Sequence, residues 1–538
     1  MKLKKIVCGC MSVLMMASFV ACSGSAGPTG TADTAASTPA GGEYNPTAPS
    51  YESYLEMDGT DGGEDDWRYA PIEDDEEYDD ARETPFKNVS TSPLSTFSSD
   101  VDTASYSNMR RFINARQRPE GVRIEELVNY FSYEYERPAA NAEHPFTVTS
   151  EVAPCPWNEE HLLAMIGVQG AEMQSRDDIN NNIVFLLDVS GSMDAENKLP
   201  LLRESFKLLI KELDENDRIS IVTYAGSDKI VADSVSGAEH KKLERLMDKL
   251  SAGGSTAGAQ GLRTAYQLAE KNFMEGGNNR IILATDGDFN VGESSTAAMT
   301  DLIETEREKG IFISVLGFGM GNLKDNMMET IADCGNGNYA YIDNLAEAQK
   351  VLVDEFDSTM FVIAKDLKLQ VEFNGAVVSQ YRLIGYNNRR LEDEDFNDDR
   401  KDAGDVGAGH SVTAFYELVL VGTEGPASVD GLKYRDVQEL GSDDFMTVKV
   451  RYKLPNGEES RLVEAPVVAS AYTAKASRDF SFASSVVEFG LILTDSDYRG
   501  TGSVKNVLER AAASRGADPY GLREEFVDLV AIYRDMTD

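Results

Sequence analysis

The run Ile183-Val184-Phe185-Leu186-Leu187 contains no polar residue and stops abruptly at Asp188. A short apolar run with polar bounds is the pattern of a strand covered on both faces. An amphipathic helix follows it, with Leu202, Phe206, Leu209, Ile210 and Leu213 in register. Strands are then expected at 219–225 and 229–232, and helices at about 239–251 and 258–273. The same reading gives a strand at 280–285, a helix near 297–309 and a strand at 311–318. A helix near 323–334, a strand near 339–342 and a helix near 345–356 complete the series. Strands alternating with helices at this spacing predict an α/β fold built on a doubly wound, mostly parallel sheet.

In such a sheet, ligands bind beyond the carboxyl ends of the strands. That edge begins with Asp188-Val189-Ser190-Gly191-Ser192-Met193. Another strand ends there in Ala284-Thr285-Asp286-Gly287-Asp288. Between them, Gly253-Gly254-Ser255-Thr256 is a glycine-rich loop that opens a helix. Alternate residues of a tight turn aim Asp188, Ser190 and Ser192 at one point, and Thr256 adds a hydroxyl. Carboxylate plus hydroxyl oxygen is ligation for a hard cation such as Mg²⁺.

The order Asp188-x-Ser190-x-Ser192, then Thr256, then Asp286 resembles the metal-ion-dependent adhesion site of von Willebrand factor A (VWA) domains. The first motif alone is weak; with its strand, the later Thr and the later Asp it is specific. The resemblance implies that Ser190, Ser192 and Thr256 ligate an ion directly or through water. Asp188 and Asp286 then contact it or orient its waters. The implied cofactor is a divalent cation, Mg²⁺ first, with Mn²⁺ or Ca²⁺ as alternatives. Its remaining coordination position suits an Asp or Glu carboxylate of a partner protein. Two carboxylates balance the charge of such an ion, and the hydroxyls add none. Asp288 reads as a polar loop residue beside this set.

Residues 94–118, 123–131, 286–292, 335–341 and 402–410 resemble a bacterial VWA-containing lipoprotein family. In that family the VWA domain lies between an N-terminal helical/β segment and a C-terminal β/helical domain. The expected organisation is a Rossmann-like VWA domain at 179–357, preceded by a helical/β segment at 86–178. A β-sandwich-like domain at 358–475 and a C-terminal helical segment at 476–538 follow. Phe146–Ser150 and 162–168 supply too few strands for their own sheet. They are expected to pair with strands from 365–469, which makes the VWA domain an insertion with neighbouring termini.

At the N-terminus, Lys2, Lys4 and Lys5 precede an apolar run from Ile6 to Val20. Phe19-Val20-Ala21-Cys22 then resembles a bacterial lipobox, with Phe19 where Leu is usual. Residues 1–21 are therefore expected to be a lipoprotein signal peptide and Cys22 the lipidation site. Residues 22–85 pass from a Gly/Ser/Thr/Ala/Pro-rich stretch into one dense in acids. This stretch reads as a disordered acidic tether. The protein is expected outside the cytoplasm, anchored by lipid to the cell membrane, or to the outer membrane where the host has one.

Asp plus Glu number 92 against 51 Lys plus Arg, a formal charge of -41. That excess argues against nucleic acid as a partner, because phosphate contacts need a basic face. It equally argues against a polybasic lipid-docking patch. The acids of 392–405 read as a solvated loop, because an EF-hand would need Gly where Arg400 stands. His144, His161, His240 and His410 are scattered and read as neither ligands nor bases. Cys155 and Cys334 read as separate thiols. The expected function is a membrane-anchored, metal-dependent protein-binding module and not an enzyme. The alternative is an envelope or assembly protein whose ion only braces the VWA loops.

Overall fold

The central strand Asn181–Asp188 is buried along its whole length. It has parallel neighbours on both sides, Arg218–Tyr224 and Asn278–Thr285. Ile311–Phe318 and Tyr339–Ile342 extend the parallel sheet beyond the latter. Asp228–Ser236 closes the other edge antiparallel. A computed structural model describes residues 76–78, 83–139, 141–173, 180–255, 258–287, 289, 293–401, 403–426, 442–455, 457 and 459–537. Alternate side chains of the central strand enter two different cores. Ile183, Phe185 and Leu187 pack against the helix Leu199–Glu212, with Phe185 edge-on to Phe206 at 4.6 Å. Val184 and Leu186 face the opposite core with Leu262, Ala265 and Ala269 of the helix Gly258–Lys271. Each buried Val, Leu or Phe contributes roughly 1.5–3 kcal/mol, so both faces hold this strand in place.

The helix expected near 345–356 is interrupted. Leu345–Gln349 is α-helical, Lys350–Asp354 is a π-turn and Phe356–Met360 resumes the helix. The widened turn accompanies two buried charges. Glu347 accepts from Arg110 and Tyr130, and the Lys350 ammonium lies 4.2 Å from the centre of the Tyr130 ring.

The flanking segments build two sheets that pack face to face. Leu162–Gly170 pairs antiparallel with Phe146–Pro154 on one side and Ser411–Leu420 on the other. In the second sheet Leu94–Ser98 lies beside Val362–Phe373, with Ser95 opposite Val371. Phe373 stacks on Tyr381 at 3.9 Å and meets Tyr416 edge-on, joining the sheets through aromatic contact. Strands from before and after the α/β domain thus complete the same sandwich. The two ends of the insertion meet one turn. Gly170 N donates to His410 O, and Ala408 N donates to Phe361 O, both at 2.8 Å.

The N- and C-terminal helices share a single core. Phe131 packs edge-on against both Phe482 and Phe526, and Phe526 also meets Phe489. Ser477 and Ser503 cap the helices Arg478–Leu493 and Val504–Ser514, their hydroxyls accepting from Phe480 N and Asn506 N. Among the described residues no helix is long and apolar enough to cross a membrane. The signal and lipidation residues, including Cys22, lie outside the described residues.

Within the stretch 22–85, expected to lack fixed structure, Glu76, Glu77 and Tyr78 are instead held against the α/β domain. The Glu76 carboxylate accepts from Arg111 at 2.8 and 2.9 Å, from Tyr78, and from Gly321 N at 2.8 Å. Glu77 N donates to Leu323 O, and Lys324 reaches back to the Glu77 carboxylate at 2.6 Å. A buried guanidinium and a loop amide supply partners that an acidic run does not reveal by itself.

Candidate metal site

Asp188 is the last residue of the central strand and is fully buried. Its Oδ1 accepts from Ser190 N at 2.8 Å, which folds the chain back so that the next side chains point the same way. Ser190 Oγ and Ser192 Oγ lie 3.0 Å apart. The other carboxylate oxygen of Asp188 accepts from Thr285 Oγ1 at 3.2 Å, linking this loop to the end of the next strand. Asp286 follows Thr285 and is equally buried. The Ser192 hydroxyl also lies near the Asp286 carboxylate and favours its charged form. The structure therefore brings Asp188, Ser190, Ser192 and Asp286 together at the carboxyl edge of the sheet.

The glycine-rich turn is clamped onto this loop by its backbone. Gly253 N donates to Val189 O at 2.9 Å, and Gly191 N donates to Gly254 O at 3.0 Å. Gly254 adopts φ +90°, which a side chain disfavours. Thr256 and Asp288, both singled out in the sequence, lie outside the described residues.

The two acids sit in different electrostatic surroundings. Burial pushes Asp188 up to about 6, and the nearby Asp286 charge adds to the rise, against hydrogen bonding from Ser190. Burial also pushes Asp286 upward, but the charge and hydrogen bond of Lys198 outweigh it, and Asp286 lies below its ordinary value. Lys198 Nζ donates to Asp286 Oδ2 at 2.9 Å and to Asn322 Oδ1 at 3.1 Å. Neither Lys198 nor Asn322 was expected here. Lys198 carries a faint signal, since it immediately precedes the helix that follows the first motif. Asn322 carries none.

The donor set fits a hard divalent cation: two buried carboxylates and two converging hydroxyls, all oxygen. Among the described residues no three His, Cys, Asp or Glu side chains gather into a metal cage. An ion at this edge would therefore need the hydroxyls as well as the carboxylates. Three of the four histidines are engaged elsewhere. His161 Nδ1 lies 2.5 Å from Glu417 Oε1, His144 meets Tyr452, and His240 meets Leu213 O. Cys155 and Cys334 are not joined by a disulfide. In the acidic loop, Arg400 pairs with Asp398 and Arg451 with Asp399.

Comparison with known proteins places this geometry in a family. Residues 182–355 match the von Willebrand factor type A domain, and 72–165 match a family described as von Willebrand factor. Residues 358–536 match the family described as uncharacterized protein YfbK, C-terminal. The chain is 43% identical over 472 residues to the uncharacterized protein YfbK of Escherichia coli K12, covering 86% of this chain and 81% of that one. It is 25% identical over 181 residues to human inter-alpha-trypsin inhibitor heavy chain H3, covering 32% of this chain and 20% of that one. Among solved structures, a von Willebrand factor type A protein from Catenulispora acidiphila is 16% identical, with TM-score 0.40, covering 74% of this chain and 89% of that one. With an α/β VWA domain inserted in a β-sandwich and matched over most of its length, the chain belongs to the YfbK family of VWA-containing bacterial proteins.

Proposed function

We propose that the protein is a lipid-anchored binding module that recognises a carboxylate on a partner protein through a divalent cation. The observation that carries this reading is the convergence of Asp188, Ser190, Ser192 and Asp286 at the open edge of the VWA sheet. VWA domains often mediate metal-dependent protein interaction, which supports the same reading. Ser190, Ser192 and Thr256 would hold the ion, with Asp188 and Asp286 supplying its counter-charge. The ion, Mg²⁺ in the first instance, would offer a coordination position to an Asp or Glu of the partner. Cys22 would carry the lipid, and the acidic stretch after it would space the folded part from the membrane.

Binding, not catalysis, is the activity proposed. Ser190 Oγ lies beside Ser192 Oγ and the buried Asp188 carboxylate, and His161 pairs with Glu417 in the sandwich. The test is capture of envelope proteins on the immobilised soluble part, with Mg²⁺ and with a chelator. A partner retained only with Mg²⁺, while thermal unfolding shows the chelated protein still folded, supports the module. Loss of fold on chelation, with no partner lost beforehand, favours the structural role of the ion instead.

A further inference from the structure

Lys198 is not a surface lysine that strays towards an acid. Its side chain is 9% exposed, and the Asp286 carboxylate it meets is 0% exposed. Its stem crosses Gly319, where an added Cβ would lie 2.3 Å from Lys198 Cγ. Gly319 also has φ +77°, so the loop leaves a slot that the lysine fills. That loop is fixed in turn. Tyr341 Oη donates to Gly319 O at 2.6 Å, and Glu76 accepts from Gly321 N at 2.8 Å. Asn322 on the same loop accepts the second hydrogen bond of the ammonium. The ammonium is therefore held at the candidate site by both backbone and side-chain geometry.

We infer that Lys198 is a resident counter-cation of the VWA site that weakens divalent-ion binding by competing for Asp286, an inference resting on the metal-site reading above. Without it, two buried carboxylates would repel one another and attract cations strongly. With it, one of the two negative charges is already neutralised. A divalent ion arriving there must displace the ammonium or share Asp286 with it, and in low dielectric either course is costly. If the ammonium stays, the loaded site keeps one net positive charge. Such a site is better satisfied when an anionic ligand binds too, so ion and partner carboxylate would reinforce one another.

The experiment is calorimetric titration of the soluble part with Mg²⁺ alone, comparing wild type, Lys198→Met and Lys198→Gln. Gln keeps a hydrogen-bond donor, whereas Met keeps only the length of the stem. Both variants are expected to bind Mg²⁺ about tenfold to a hundredfold more tightly than wild type, as removal of one nearby positive charge requires. Binding by the variants alone, or variants that fold only when Mg²⁺ is present, supports the inference equally. Unchanged or weaker affinity in folded variants overturns it and leaves the site intact. Absence of binding in all three proteins overturns the metal-site reading, and this inference falls with it. Failure of both variants to fold even at saturating Mg²⁺ also overturns it, because Lys198 would then be a structural cation that the ion cannot replace.

Discussion

Asp188 and Asp286 end neighbouring strands and are both fully buried, yet only Asp286 has a cation beside it. Their substitutions should therefore differ in stability while agreeing in ion binding. The carboxyl of Asp188 is pushed up to about 6, so ionising it costs more in the folded protein than in the unfolded chain. A raised acid pKa means that the folded state binds more protons than the unfolded one, and stability falls as pH rises through this range. Asp188→Asn keeps an acceptor for Ser190 N and removes that penalty. It is expected to raise the stability of the ion-free protein at pH 7 by roughly 1–3 kcal/mol while abolishing the gain from added Mg²⁺. Asp286→Ala leaves the Lys198 ammonium buried without its carboxylate. It should lower stability by about 3–5 kcal/mol and also abolish ion binding. Ser190→Ala removes a neutral oxygen and is expected to weaken Mg²⁺ by roughly tenfold to a hundredfold. Scanning calorimetry with and without Mg²⁺ checks all three; a destabilised Asp188→Asn would contradict the electrostatic account. The residues of the first motif were legible because a turn places them by local spacing. Lys198 was not, because its partner lies 88 positions away on a different strand end.

At the scale of elements, period and sequence spacing marked the sheet well. An unbroken apolar run leaves a strand nowhere to go but between two layers. The sequence marked the short segment Glu76–Tyr78 poorly. Its acids resemble those of the solvated stretch before it, and their partners come from a distant helix and loop. Glu76 is only 4% exposed at its side chain, as is Arg111. Burial raises the Glu76 carboxyl, but Arg111 and the Gly321 amide bring it below its ordinary value. Glu76→Ala would leave the Arg111 guanidinium with Tyr78 and Asn108 as hydrogen-bond partners but no carboxylate. The segment should then detach. In limited proteolysis, the first protected residue is expected to move from Glu76 towards Glu83, which Arg382 holds, while the rest of the chain stays resistant. An unchanged cleavage pattern would show that Glu77, Lys324 and the packing of Tyr78 on Phe112 suffice. The π-turn at Lys350–Asp354 escaped notice for a related reason, since helical period continues through it and its place is marked by the buried contacts of Glu347 with Arg110 and of Lys350 with Tyr130.

At the scale of the molecule, the insertion is tied to its surroundings by charge as well as by strand pairing. Arg123 pairs with Glu126, Asp325 and Glu329, and Arg389 with Asp100, Asp102, Glu329 and Asp333. Asp325, Glu329 and Asp333 lie on one helix of the VWA domain, whereas the arginines come from the flanking segments. None of this was legible beforehand, because each residue alone reads as an ordinary surface charge and only the insertion topology buries them together. Six carboxylates face two guanidinium groups, so the cluster cannot be neutral with every acid ionised. Burial raises Glu329 to about 8, with Glu126 adding to the rise and Arg123 and Arg389 opposing it. Burial and Asp100 raise Asp333 to about 6. Both shifts are upward, so the folded state holds protons that the unfolded chain releases near its ordinary carboxylate values. Stability should therefore decline as pH rises from about 5 to 8, the reverse of what salt-bridged acids with lowered values produce. Glu329→Gln keeps an acceptor for Asn388 and Arg389 and removes one charge. It is expected to flatten that decline and to add roughly 1–3 kcal/mol at pH 8 relative to pH 5. Chemical unfolding across this range, in wild type and variant, measures the difference of slopes directly. A wild-type curve that rises towards pH 8, or a variant with an identical slope, would place the protons elsewhere.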